Sequence, residues 1–451
     1  MKIKKLFLIF WVFLAIAFWT LGTFPCKVHS QAYQKLFVRV ATGAGPGLLY
    51  QIPGSPKGHI GIVVMHPSSD VLDNINSTEL AKRGYTVLAV NTTFGTDNNL
   101  DFDALLLQVR NAVKYLRTVQ GVTKVVLLGH SGGGPTMAAY QNIAQHGVSA
   151  CRGKEKIIEC PDSLAGFPPA DGLILLDPVL GMGAQTLVTI DPAVVSEDKG
   201  LSVNPTLDMY NSANGFTPAG ATFNEQFVRR FTDHQSNRMA DLIERALDRW
   251  HRIKEGKGNF IDDEPFIVPG GIVTLPQLWS IDIRLWSRTR NAHKLVHKDG
   301  SITTEIVQSV RRPNSSAFGP ITSSFTSLFI RGALETSVHR FLNSWACRAT
   351  KDYGYNEDSI TGIDWHSTYN STPGNIEGVT VPLLVVGMGA GSLLVSCEVA
   401  YEHAGGSPDK EIVYIEGAIH VTRPIDPQKY GDTTKTTFDY IDGWLSKLGR
   451  F

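Results

Sequence analysis

A serine flanked by glycines is the residue in this 451-residue chain whose surroundings point most clearly to chemistry. The run Gly129-His130-Ser131-Gly132-Gly133 fits the pattern G-x-S-x-G, and it stands between the apolar run KVVLLGH and a helical run that begins with glycines. A tight turn between a buried strand and a helix holds a serine hydroxyl above the sheet, and glycines are needed because side chains would collide with neighbouring strands. The pattern therefore predicts a nucleophile at Ser131, beside a helix N-terminus that favours developing negative charge.

The strand, the serine turn and the helix together resemble the α/β-hydrolase superfamily, and the resemblance covers roughly residues 34 to 180 and 380 to 450. That superfamily uses a serine, an acid and a histidine in this chain order, and the histidine lies between the last strand and the final helix. His420 lies in the run IEGAIHVTRP, which directly follows the apolar run EIVYI. The resemblance implies that His420 is the general base for Ser131.

Two carboxylates are alternatives for the acid of the triad. Many members of the superfamily carry it after the strand that here is VPLLVVG, yet MGAGSLLVS follows and no carboxylate occurs before Glu398. Another position used in the superfamily is the end of the preceding strand, where GLILLDPVLG offers Asp177; this LDPV-x-G run resembles the acid segment of chlorophyllase-type hydrolases. We expect Asp177 to orient the imidazole and keep Glu398 as the alternative. Each also has a structural interpretation, Asp177 as a turn residue and Glu398 as a helix cap.

The oxyanion of an acyl-transfer reaction needs two N–H donors, which the resemblance puts after the nucleophile and after the first buried strand. Gly132 supplies the first donor. In the run MHPSSD, Pro67 occupies the position often held by glycine and has no N–H, so we expect the second donor at Ser68, with Ser69 as a further option. We expect His66 to brace this loop and His130 to have a packing role.

Continuous apolar runs alternate with helical patterns and must form the scaffold that positions these residues. Such runs are typical of strands buried on both faces of a parallel sheet, and the alternation predicts right-handed crossovers. A β-hairpin is predicted over residues 34–56. The buried runs are HIGIVVMHP, YTVLAVN, KVVLLGH, GLILLDP, VPLLVVG and EIVYIEG. The fold class is therefore α/β, with a mostly parallel central sheet flanked by helices, which is the α/β-hydrolase fold that the resemblance implies.

The alternation stops for about two hundred residues between the fourth and fifth of these runs. This segment carries amphipathic patterns, most clearly over residues 223–256 and also over 276–292 and 337–350. We therefore predict a hydrolase core formed by residues 31–178 and 380–451. A large, mainly helical cap or lid, residues 179–379, is inserted between strands 6 and 7, where α/β-hydrolases carry such caps.

The first thirty residues have the features of an export signal, with a basic start and a long apolar run. We expect a signal peptide or signal anchor over residues 1–30, with cleavage after Ser30 or retention as an anchor, and an exported protein that is secreted or periplasmic. Removal would leave Cys151, Cys160, Cys347 and Cys397, and two disulfides are natural in an oxidising compartment. Local pairing joins Cys151 to Cys160 and leaves Cys347 with Cys397. The alternative is four unconnected thiols, and no spacing of Cys or His indicates a metal site.

The charges balance, with 42 basic and 42 acidic side chains, so nothing favours nucleic acid or an anionic surface as a partner. The hypothesis is a serine hydrolase that cleaves a carboxylic ester through an acyl-enzyme and needs no cofactor. The expected substrate is a medium-sized, partly apolar ester, and membrane contact is expected only through the N-terminal anchor. The alternatives are thioester or amide cleavage by the same triad, and a non-catalytic ligand-binding protein on the same scaffold.

Overall fold

The computed structural model describes residues 33–94, 100–198, 202–271, 278–313, 315–316, 319–320 and 332–451. The expected signal or anchor over residues 1–30 lies outside these described residues. Within them, no helix is both long and apolar enough to cross a membrane.

The secondary structure of the described residues alternates between strands and helices in the first part of the chain and again at its end. The strands are β1 (Gln34–Arg39), β2 (Pro46–Gln51), β3 (Ile60–Val64), β4 (Thr86–Val90), β5 (Lys124–His130), β6 (Gly172–Leu176), β7 (Phe216–Thr217), β8 (Gly220–Ala221), β9 (Pro265–Pro269), β10 (Arg288–Val296), β11 (Ile302–Gln308), β12 (Ser315–Ser316), β13 (Gly319–Pro320), β14 (Ala333–Ser337), β15 (Ala349–Tyr355), β16 (Ile360–Ile363), β17 (Leu383–Met388) and β18 (Lys410–Ile415). The helices are α1 (Ile75–Lys82), α2 (Phe102–Leu116), α3 (Gly133–His146), α4 (Met182–Thr189), α5 (Glu225–Lys254), α6 (Leu278–Ile281), α7 (Val338–Arg340), α8 (Thr372–Ile376), α9 (Leu394–His403), α10 (Pro427–Tyr430) and α11 (Thr433–Leu445).

One large sheet organises the described part of the chain. Its ten strands lie in the order β1-β2-β4-β3-β5-β6-β17-β18-β10-β11. The pairs from β4 to β10 in this order are parallel, whereas β1–β2, β2–β4 and β10–β11 are antiparallel. The predicted α/β fold with a mostly parallel central sheet is therefore confirmed. The neighbours β6 and β17 are separated in sequence by the insertion, which starts after one central strand and ends before the next.

The central strands are buried on both faces, which explains why they are continuous apolar runs. Side chains alternate between the faces. On one face Leu128 packs in a core with Phe438 of α11, and on the other Leu127 packs in a core with Met137 of α3. Each such buried side chain contributes roughly 1.5–3 kcal/mol, so the two cores fix the sheet whose strand ends carry the candidate site.

The insertion packs mostly into one of these two cores, and Val296 of β10 belongs to the other. Phe227 and Met239 of the thirty-residue helix α5 belong to the same buried cluster as Leu127 of the central sheet. The insertion also extends the sheet, because β10 pairs in parallel with β18 and β11 pairs with β10. The expected mainly helical cap is thus corrected to a mixed segment. The end of the amphipathic pattern over residues 276–292 belongs to β10. A short run of apolar residues cannot by itself distinguish a helix from a strand.

Of the four cysteines beyond the N-terminal segment, two form a disulfide and two are free thiols. Cys151 and Cys160 form a disulfide with their Cα atoms 5.6 Å apart, as local pairing predicts. The predicted bridge between Cys347 and Cys397 is absent, because both residues are buried free thiols. The Cys347 thiol lies 3.8 Å from the Ser367 hydroxyl, and the Cys397 thiol belongs to a different neighbourhood, beside Asp177. Even cysteine number predicts pairing only where the fold brings the sulfur atoms together.

Candidate active site

The serine turn between β5 and α3 adopts the strained conformation that its glycines predict. Ser131 has a φ of +56°, a left-handed conformation that is uncommon for a residue with a side chain. A Cβ on Gly129 would lie 2.3 Å from the Gly133 carbonyl oxygen, and one on Gly133 would lie 2.7 Å from the Met65 carbonyl oxygen. The Ser131 N–H donates to the Leu176 carbonyl at 3.1 Å, which ties the turn to β6. The backbone therefore holds Ser131 at the carboxyl end of β5.

Asp177 and His420 meet at the same edge of the sheet. His420 Nδ1 lies 2.6 Å from Asp177 Oδ2, and the Asp177 side chain has no exposed surface. Asp177 follows β6 directly, and its φ of +43° is a second left-handed conformation at this edge. A carboxylate oxygen accepts hydrogen bonds, so this contact selects the His420 tautomer with its proton on Nδ1 and with Nε2 able to accept.

The second oxygen of Asp177 is held by groups from β17 and α9. Asp177 Oδ1 accepts the Met388 N–H at 3.3 Å and lies 3.6 Å from the Cys397 sulfur, whose S–H can donate to it. Burial and the neighbouring charge of Asp177 raise the pKa of Cys397 well above its ordinary value, so the thiol keeps its proton. Cys397 thus helps to fix the carboxylate, a contact that the sequence does not reveal because the residues are 220 positions apart.

His130 links the serine turn to the loop that carries His420. Its ring lies 4.7 Å from that of His420 at an angle of 31°, and its Nε2 donates to the His420 carbonyl oxygen at 2.8 Å. Burial, followed by the charge of His420, lowers the pKa of His130 well below its ordinary value, so the ring stays neutral. Ser131 Oγ itself makes no hydrogen bond among the described residues. His130 therefore connects the serine turn to the segment that contains His420.

Glu398, the alternative acid, lies in another network. It accepts hydrogen bonds from His293 Nε2 at 2.8 Å and from the N–H groups of Arg290 and Asn291 at 2.7 and 2.8 Å. Burial raises the pKa of Glu398, but these three hydrogen bonds outweigh it and leave the pKa below its ordinary value. Glu398 therefore anchors β10 to α9, and the carboxylate that contacts His420 is Asp177.

The loop after β3 differs from the expectation for the second oxyanion donor. The Ser68 N–H donates to His66 Nδ1 at 3.2 Å, and the Ser69 N–H donates to the same atom at 2.9 Å. Both backbone donors considered for the oxyanion are therefore directed at a side chain of their own loop, which corrects the assignment of Ser68. The expectation that His66 braces this loop agrees with the two hydrogen bonds.

The described residues contain one notable groove, which lies away from Ser131. Within the described residues no group of three or more His, Cys, Asp or Glu side chains is arranged to hold a metal ion. A groove of about 510 Å³ is lined by residues 192–197 and 234–245 of the insertion, and many of its side chains are charged or polar. It contains neither Ser131, Asp177 nor His420, so this groove is not the enclosed apolar pocket expected for the ester.

Comparisons with known proteins indicate a family for the chain. Residues 62–291, about half of the chain, match the sequence profile of the alpha/beta hydrolase family. The matched segment includes Ser131 and Asp177 and ends before His420. A search of curated proteins found no match.

Solved structures of several hydrolases are similar to the chain. The siderophore hydrolase EstB from Aspergillus fumigatus has a TM-score of 0.42 and 12% identity, over 95% of this chain and 100% of that chain. The alpha/beta hydrolase GrgF from Penicillium sp. sh18 has a TM-score of 0.42 and 13% identity, over 93% and 100%. A hormone-sensitive lipase from a metagenome library has a TM-score of 0.42 and 12% identity, over 93% and 87%.

Proposed function

The chain belongs to the alpha/beta hydrolase family, and from that premise we propose that it is a serine hydrolase that cleaves carboxylic esters through Ser131, His420 and Asp177. The observation that carries the proposal is the 2.6 Å contact between His420 Nδ1 and the fully buried Asp177 carboxylate, at the same sheet edge as the strained Ser131 turn. A buried carboxylate that orients an imidazole beside a serine is the arrangement that activates a hydroxyl for acyl transfer.

The mechanism begins with attack of Ser131 Oγ on the ester carbonyl carbon while His420 Nε2 takes the hydroxyl proton. Asp177 stabilises the imidazolium that forms, because its Oδ2 accepts the proton on Nδ1. The tetrahedral intermediate then collapses, the bond to the leaving alkoxide breaks, and His420 returns its proton to make the alcohol. Water, deprotonated by His420, next attacks the acyl-enzyme and releases the carboxylic acid and Ser131. These reaction steps require no metal or cofactor.

Two other histidines lie near His420, and both have lowered pKa values. Burial lowers the pKa of His130, and burial together with the charge of His420 lowers the pKa of His66 to about 4. Both neighbours therefore remain uncharged at neutral pH and leave the proton of the reaction to His420. We propose on this basis that His420, and neither of the other two histidines, is the general base.

The substrate and the compartment are further parts of the proposal. A medium-sized, partly apolar ester is the substrate class that an apolar, aromatic-rich insertion would enclose, with thioesters and amides as the alternatives. The Cys151–Cys160 disulfide supports export, because such bonds persist in oxidising compartments. We therefore propose an exported enzyme that acts on small molecules.

A fluorophosphonate probe and a series of p-nitrophenyl esters of increasing chain length test the proposal on the mature protein. We expect the wild type to be labelled and to hydrolyse at least one ester, and Ser131→Ala to lose both properties while it unfolds at the same temperature. The acyl chain length of the ester with the highest kcat/KM indicates the size of the acyl pocket. A wild type that is unlabelled and as inert as Ser131→Ala on every ester would refute the proposal and favour a ligand-binding protein on this scaffold.

A further inference from the structure

His66 has one ring nitrogen whose role is fixed by its own loop. Nδ1 accepts the N–H groups of Ser68 and Ser69, so this nitrogen is unprotonated. In a neutral imidazole the proton must then lie on Nε2, which becomes a hydrogen-bond donor. The backbone of the loop therefore selects the tautomer of His66.

The donor nitrogen of His66 faces the residue after the nucleophile. His66 Nε2 lies 3.4 Å from the position that a Cβ would have on Gly132. A Cβ lies about 2.5 Å from its own backbone nitrogen, so the Gly132 N–H and His66 Nε2 are no more than about 6 Å apart. That maximum is reached only if the three positions are collinear, and at any shorter separation one oxygen atom can accept hydrogen bonds of about 2.9 Å from both groups.

The backbone donors expected for the same task are not free. Pro67 has none, and the N–H groups of Ser68 and Ser69 are committed to His66 Nδ1. On the assumption that the proposed serine hydrolase function holds, we propose that the Nε2–H of His66 is the second oxyanion donor and acts together with the Gly132 N–H. His66 would thus be a catalytic residue that touches the negatively charged oxygen of the tetrahedral intermediate.

The electrostatics of the loop suit this role. Two N–H dipoles point at Nδ1, which polarises the ring and strengthens its Nε2–H as a donor. Burial and the charge of His420 lower the pKa of His66 to about 4, so the ring carries no charge that would oppose the imidazolium of His420 during the reaction. A preorganised neutral donor costs no rearrangement when the oxyanion forms.

Two substitutions of His66 test the roles of its two ring nitrogens one at a time. In His66→Asn the amide oxygen can still accept the loop N–H groups, but no donor reaches the Nε2 position. In His66→Gln the amide nitrogen can take the Nε2 position. We expect kcat on the best p-nitrophenyl ester to fall about 100-fold or more in His66→Asn, with KM little changed, because oxyanion donors act on the transition state. We expect His66→Gln to recover at least about tenfold of that loss.

A trifluoromethyl ketone provides an independent measurement, because Ser131 adds to it and forms a tetrahedral oxyanion. Its inhibition constant should rise in His66→Asn in parallel with the loss of kcat/KM, while the unfolding temperature stays near that of the wild type. A His66→Asn variant with wild-type kcat, or one that loses activity only through KM, overturns the role of His66. An inert wild type that resembles Ser131→Ala overturns the proposed function instead, so the two failures are distinguishable.

Discussion

At the scale of single residues, Asp177 is the group whose replacement best tests the proposed triad. One carboxylate oxygen orients His420, and the other is held by the Met388 N–H and the Cys397 thiol. In Asp177→Asn the shape is kept, but an amide can present its NH₂ to Nδ1 and favour the wrong tautomer of His420. We expect kcat in ester hydrolysis to fall about 10³–10⁴-fold.

Glu398→Gln is the matched control, because Glu398 contacts His293 and two backbone N–H groups and has no hydrogen bond to His420. It should lower the free energy of unfolding in urea and leave kcat of the folded protein unchanged. The reverse result, with an active Asp177→Asn and an inactive but folded Glu398→Gln, would make Glu398 the acid.

His66 also predicts a dependence of stability on pH. Its pKa is about 4 in the folded protein and about 6.5 in an unfolded chain. Between these values the unfolded state binds a proton that the folded state does not, so stability present above pH 6.5 is lost as the pH falls towards 4, by up to about 3 kcal/mol. We expect His66→Asn to lose less stability than the wild type between pH 7 and pH 4.5 in urea unfolding. Equal losses in the two proteins would contradict this.

At the scale of elements, the turn between β5 and α3 depends on glycines that touch backbone. In Gly129→Ala the new Cβ would lie 2.3 Å from the Gly133 carbonyl oxygen, so the strand end and the helix start must separate. We expect a loss of roughly 1–3 kcal/mol in the free energy of unfolding, and about a 100-fold loss of kcat as Ser131 moves.

Gly443 in α11 provides the control for this substitution. A Cβ there meets no atom within 4 Å, and the residue lies inside a helix. Gly443→Ala should therefore stabilise the protein by about 0.5–1 kcal/mol and leave kcat unchanged. A Gly129→Ala variant as stable and active as Gly443→Ala would be evidence against a strained turn.

The sequence predicts those elements whose signal is local. The serine turn follows from its glycines, and the sheet follows from apolar runs that the structure buries on both faces. Other features depend on contacts between distant segments. No periodicity or spacing in the sequence predicts three of them. These are the pairing of β10 with β18, the free Cys397 thiol beside Asp177, and the hydrogen bond from the Ser68 N–H to His66 Nδ1.

At the scale of the whole molecule, the number of free thiols shows both how many disulfides have formed and whether the N-terminal segment has been removed. The chain has five cysteines, and one disulfide uses two of them. Alkylation of denatured, unreduced protein should label Cys347 and Cys397, plus Cys26 if the N-terminal segment is retained. Mass spectrometry should thus find two labels after cleavage at Ser30 and three without it. A protein with no label would have the second disulfide that the sequence suggests.

Because β10 pairs with β18, this insertion cannot be exchanged as a separate module. A lid joined to its scaffold by hinges alone can be cut out and replaced in a chimera. Here, excision of residues 179–379 would remove two strands from the sheet and expose the edge of β18, the strand that leads to His420. A graft intended to change the substrate would therefore have to leave residues 288–308 with the scaffold and replace only segments on either side of them.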